Sequence, residues 1–194
     1  MESHAEEIIK IIHQQKKRKQ LQNNDINKGY AEIFYNTVIF ERTELCHKKF
    51  SMLTPAFLTS LENDTELEYS TQNKPEFIYV NETMDINMTF SLVENEQLQT
   101  DIFKMQKQMQ QDIKQMYPNI MLTEQDILNT KDDVSIAYFC FPLKIEEETL
   151  MEVVFLFLVE NQWVVGTFHC PDTQKRDWKD IVKQMLLSIQ LKVC

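Results

Sequence analysis

The sequence predicts an α+β protein: a mainly antiparallel sheet of about six to eight strands, covered by two long helices and preceded by a helical arm. Three observations predict it. Residues 149 to 191 read as strand, polar turn, strand and helix; residues 86 to 92 alternate strictly; residues 98 to 116 carry a helical stripe.

The first of these stretches organises the rest. Met151 and Val153 to Val159 form an apolar run interrupted only by Glu152. Such a run is too short to cross a membrane as a helix and is rich in β-branched and aromatic residues, which suits a central strand covered on both faces. The polar trio Glu160-Asn161-Gln162 leads into Trp163 to Cys170, an antiparallel hairpin partner that Pro171 stops. Asp172 or Thr173 is placed to cap a following helix, where Trp178, Ile181, Val182, Met185, Leu186 and Ile189 recur at steps of three and four. That spacing makes one apolar stripe, so the helix is expected to lie on the sheet.

Upstream, residues 2 to about 22 read as a helix in which Ile8, Ile11 and Ile12 share a face, followed on the same arm by Lys16-Lys17-Arg18-Lys19. Asn23 to Gly29 reads as a linker, so the chain divides into an arm over residues 1–29 and a domain over 30–194. Ile33 to Phe40 reads as a first strand, with a polar turn through Glu44, and Lys49 to Leu53 as a second, closed by Thr54-Pro55. Phe57, Leu58 and Leu61 suit a short helix, and Asn63 to Lys74 an exposed loop. Phe77 to Val80 and Ile86 to Leu92 make a hairpin whose second arm sets Ile86, Met88, Phe90 and Leu92 on one face and Asn87, Thr89 and Ser91 on a face expected to meet water. Leu98, Ile102, Met105, Met109, Ile113 and Met116 then trace a helix that Pro118 ends. Asn119 to Thr130 and Val134 to Phe141 read as further strands, with Glu146-Glu147-Glu148 turning the chain into the central one.

Composition excludes several classes. The chain has 194 residues, enough for one core with an appendage, and its only glycines are Gly29 and Gly166, so no glycine-rich phosphate cradle can be built. A formal charge of −10 disfavours nucleic acid. It is uneven: six basic and four acidic residues leave the first 29 residues at +2 and the remaining 165 at −12. The acidic start is unlike a secretory signal, so the sequons at Asn63, Asn81 and Asn87 read as chance matches and Cys46, Cys140, Cys170 and Cys194 as reduced thiols. The expectation is a cytoplasmic chain with no membrane insertion.

Each constellation with chemical potential has a plainer structural reading. Cys46-His47 and His169-Cys170 supply zinc-ligand types, but neighbours on a strand point to opposite faces, which defeats both a shared metal site and a cysteine–histidine nucleophile. Glu146 to Glu148 lie consecutively in a turn rather than across a pocket. Met105, Met109 and Met116 suit a helix packed on the sheet, or a groove for an apolar helix. No catalytic residue, metal ligand or cofactor is expected.

Gly166-Thr167-Phe168-His169-Cys170-Pro171, followed by Trp178 and Ser188-Ile189, resembles a signature of uncharacterised bacterial proteins of the PsbP-like superfamily. Lys48 to Phe57 is similar to that superfamily's opening strand, with Thr54 standing between Leu53 and Pro55. The resemblance runs from about Thr43 to Leu191 and leaves out the arm. It implies an α/β/α sandwich over residues 30–194 and roles without catalysis, as in PsbP, a Ran-binding import factor, DcrB lipoproteins and Eag chaperones. The functional expectation is therefore a non-enzymatic protein-binding module, an intracellular adaptor or accessory chaperone. Its partner surface is expected on the more polar sheet face or the arm, with homodimerisation left open. The alternative is a small-molecule binder or enzyme with a pocket between sheet and helix.

Overall fold

The computed structural model describes residues 24–61, 75–94 and 101–192. The arm helix with its basic run, and the loop over residues 63 to 74, fall outside them. Among the described residues, eleven strands and two α-helices follow in order: β1 (Tyr30–Ile33), β2 (Asn36–Leu45), β3 (Phe50–Pro55), β4 (Thr59–Ser60), β5 (Phe77–Val80), β6 (Asn87–Glu94), α1 (Ile102–Met116), β7 (Glu124–Asn129), β8 (Ser135–Ile145), β9 (Glu148–Val159), β10 (Gln162–Pro171), α2 (Lys175–Leu187) and β11 (Gln190–Leu191).

The strands form a seven-stranded sheet in the order β4-β5-β6-β10-β9-β8-β7 and a four-stranded sheet in the order β1-β2-β3-β11. Every pairing is antiparallel. β9 runs between β8 and β10, and Met151 to Phe157 are all buried, as the apolar run requires. The large sheet has a helix on each face. On one face the five stripe residues within α2, with Ile189 just beyond it, are buried together with Phe40, Phe50 and Met52 of the small sheet and Phe90, Phe155, Phe157 and Phe168 of the large one. Phe50 meets Phe157 and Phe90 edge-on, with centroids 5.0 and 5.6 Å apart, which welds the sheets together. On the other face, α1 lays Ile102, Met105, Met109 and Ile113 on Ala137, Phe139, Phe141, Val154, Leu156 and Trp163. The small sheet thus shares the α2 layer, an addition to the sandwich expected from the sequence.

The signature residues turn out to be structural. Gly166 faces Phe155 across the β9–β10 pair, where an added Cβ would lie 2.2 Å from the ring Cζ. Phe168 packs on Trp178 at 5.2 Å, Cys170 is buried, and Ser188 Oγ accepts from Leu53 N at 2.8 Å while donating to Met185 O. These residues lock α2 to both sheets.

Several segments depart from the sequence expectation. Residues 33 to 40 are two strands, because Phe34 and Tyr35 make a tight turn with φ of 47° and 66°. Aromatic residues give no turn signal there, and the Phe34 amide donating to Asp177 Oδ2 at 3.0 Å helps hold the left-handed backbone. Glu44 lies within β2, which runs to Leu45 before turning. The short helix after Pro55 is replaced by a turn and β4, whose Thr59 and Ser60 pair with Val80 and Tyr79, so sheet pairing overrides local spacing. The linker reading fails for its described part: Ile26 is fully buried in the main core, its amide donates to Gln184 Oε1, and Asn24 hydrogen-bonds both backbone groups of Glu32. Neither Asp172 nor Thr173 caps α2; a 3-10 turn over Asp172–Gln174 leads into it, and Asp172 instead accepts from Lys175 Nζ at 2.8 Å. The strand of residues 119 to 130 starts only at Glu124. Finally, the β6 face expected in water is partly covered, with Thr89 buried.

Candidate functional site

At one end of the molecule the β1–β2 turn, the end of β3, the β5–β6 turn and the start of α2 enclose an open cleft of about 690 Å³. Each wall is fixed by local chemistry. The Phe34–Asp177 hydrogen bond ties the β1–β2 turn to α2. Phe57 stands edge-on to the buried Trp178, with centroids 6.4 Å apart. In the β5–β6 turn, Asn81 Oδ1 accepts from Ile86 N at 3.0 Å, while its Nδ2 donates to Asp85 Oδ1 at 2.6 Å. Burial works against the Asp85 carboxylate, yet hydrogen bonds from Thr83 and Asn81 outweigh it and keep its pKa below the ordinary value.

The cleft is greasy and acidic at once. Ile39 is 51% exposed and Phe57 37%, and Phe34 beside them is also exposed, an unusual concentration of large apolar side chains in water. The lining includes Glu82 and Asp85 and no lysine, arginine or histidine. The Thr83 hydroxyl donates to Asp85 within the turn, and the described lining holds no histidine, lysine or cysteine beside them. The described lining thus offers apolar and acidic contact surface.

The constellations singled out from the sequence are dispersed. Cys46 is buried at a turn in which Cys46, His47 and Lys48 all have positive φ, and His47 stands edge-on to Phe77 at 5.0 Å. Cys170 is buried on β10, and His169 points to the opposite face, its Nδ1 3.6 Å from Glu152 Oε2. Burial pushes the thiols of Cys46 and Cys140 up to about 12 and that of Cys170 higher still, so all three are neutral. Among the described residues no group of three or more His, Cys, Asp or Glu side chains could hold a metal ion. Glu146 and Glu147 form an exposed turn. Met105 and Met109 are half-buried beneath α1, whereas Met116 is 55% exposed.

The more polar sheet face carries a row of side chains across β6, β10 and β9. Thr89 and Thr167 share a 2.8 Å hydrogen bond, and Glu152 stands opposite His169 in the cross-strand register. Glu152 is nearly buried, and burial raises its pKa despite His169 and Thr167. A separation of 3.6 Å is too long for a hydrogen bond, so histidine compensates the buried carboxylate only weakly. Sequence reasoning missed the cleft because its residues come from four separate segments.

The architecture defines a class: an α+β protein with a central antiparallel sheet and a helix on each face, without an assembled reaction centre among the described residues. Neither any family model nor any curated protein matches the sequence. Solved structures do. The cyanobacterial PsbP of Synechocystis sp. PCC 6803 matches with a TM-score of 0.58 at 8% identity, over 79% of this chain and 92% of that one. Mog1p, a Ran-binding protein of Saccharomyces cerevisiae, matches with a TM-score of 0.54 at 11% identity, over 79% and 96%. The chain has the PsbP and Mog1p fold, as its β10–α2 residues imply; at such identities the likeness is one of fold.

Proposed function

We propose that this chain is a protein-binding module that performs no covalent chemistry, an adaptor or accessory chaperone of the cytosol. Its cleft takes a partner segment carrying large apolar side chains and basic residues. One observation carries this reading: exposed Phe34, Ile39 and Phe57 surround a cleft in which the only charges among the described residues are the carboxylates of Glu82 and Asp85. Apolar anchors supply affinity, and complementary charge supplies orientation and rate. That Mog1p is a Ran-binding protein with the same fold supports a protein partner without identifying it.

Selection from a displayed library of random peptides tests this. Enriched peptides should combine Leu, Phe or Trp with Lys or Arg, bind more weakly as salt rises, and lose at least about tenfold in affinity to the double variant Ile39→Ser, Phe57→Ser. Both side chains are partly exposed, so the variant should keep its fold. Enrichment of acidic peptides, or binding indifferent to the two substitutions, would sink the proposal.

A further inference from the structure

A second, smaller pocket lies between the sheet and the first turns of α2. It has a volume of about 300 Å³, at the lower end of small-molecule sites. Its floor is the buried Cys140 and Met151 with the β8 backbone at Phe141, whose ring lies on the opposite face of the sheet, and Pro142 closes it. Its mouth carries Lys175, Arg176 and Lys179. On a protein of net charge −10 this is a local reversal of sign.

Two of those cations are already engaged. Lys175 pairs with Asp172, and Lys179 with Glu124, which also receives Lys183. Arg176 forms no ion pair among the described residues, and it is exposed at the mouth. The uncompensated charge is thus a planar fork of donors above an apolar well. We propose that this pocket binds a monocarboxylate with a medium-length alkyl tail, the head on Arg176 and the tail against Met151 and Pro142.

The chemistry selects this class on both counts. A guanidinium matches a carboxylate through two parallel hydrogen bonds. The Cys140 and Met151 side chains on the floor offer no strong partner for further polar groups, and the carboxylates of Asp172 and Glu124 in the lining are engaged by lysines. An alkyl chain loses nothing there, and each buried methylene improves affinity about fourfold. At the space one water molecule takes in the liquid, the volume holds about ten non-hydrogen atoms, which is the size of octanoate.

Titration of the full chain with octanoate, octan-1-ol and propionate, followed by calorimetry and by amide chemical shifts, tests the assignment. Octanoate should saturate, with shifts concentrated at Phe141, Met151 and Arg176, and the alcohol and the short acid should each bind at least about tenfold more weakly. Arg176→Gln should weaken octanoate about tenfold and leave octan-1-ol unchanged. Because Arg176 is exposed, its variant should melt with the parent. Equal binding of acid and alcohol, an unaffected Arg176→Gln variant, shifts mapping elsewhere, or no saturation would each overturn it. None of these outcomes bears on the aromatic cleft, so the two proposals fail separately.

Discussion

Gly166 has one of the most demanding positions in the chain. Its partner Phe155 is 1% exposed, and a methyl group at residue 166 would overlap three atoms of that ring. The ring has nowhere to move in a close-packed core. Gly166→Ala should therefore cost about 2 kcal/mol or more, seen as a lower urea midpoint with an unchanged slope. Glu152 presents the opposite case, a residue whose removal helps. Its folded pKa is raised by burial, so its protonated form is the one the fold favours. Whatever stability it contributes is complete below the ordinary carboxylate value and is lost as pH rises through the raised one. Glu152→Gln, which mimics the protonated group, should raise the melting temperature by a few degrees at pH 7 and change it little at pH 4. Equal effects at both values would show that the carboxylate is adequately compensated.

Among elements, α2 shows how a single surface carboxylate can hold a helix in place. Lys179 and Lys183 lie one turn apart on α2 and both reach Glu124 of β7, which also accepts from Tyr138 of β8 at 2.9 Å. Burial opposes the charge on Glu124, but the three donors outweigh it and bring the pKa from 4.5 to about 2. The sign is the reverse of that for Glu152. The contribution is present above the ordinary value and disappears as pH falls from about 4.5 through about 2. Glu124→Gln should thus cost about 2 to 3 kcal/mol at pH 7 and nearly nothing near pH 2, as measured by denaturant titration at each pH. The elements were legible where periodicity is strong. The α2 stripe, the β9 run and the β10 signature stand as the residues imply, because a repeat of 3.6 or 2 leaves only one face to bury. Long-range terms were not legible. The Phe34–Tyr35 turn depends on Asp177, some 143 residues away, and β4 depends on pairing with β5. The cleft inherits that limit, since its aromatic residues belong to those same segments.

At the scale of the whole molecule, the two helices do not share equally in the core. α2 contributes five buried residues to a cluster that unites both sheets, and no part of that cluster can open without exposing the rest. α1 is attached differently. Its one buried residue is Gln106, whose Nε2 donates to Tyr138 O at 2.9 Å and Asp126 O at 3.2 Å, while its apolar residues are only half-covered by two smaller clusters. Lifting α1 would expose one face of β8 and β9 and release the two Gln106 bonds and the one from Gln110 Nε2 to Gln125 Oε1, yet leave the larger core intact. Opening free energies follow the apolar contacts broken, so the molecule should open in at least two steps. Native-state hydrogen exchange should find the α1 amides exchanging through a partial opening of lower free energy and smaller denaturant slope. Amides of β9 and α2 should exchange only with global unfolding. Gln106→Ala should lower the α1 protection further and leave the β9 ceiling almost unmoved, because its bonds belong to the outer layer. Uniform protection across α1, α2 and β9 would mean that the half-covered helix is as integral as the buried one, and that the two faces of the sheet form a single cooperative unit.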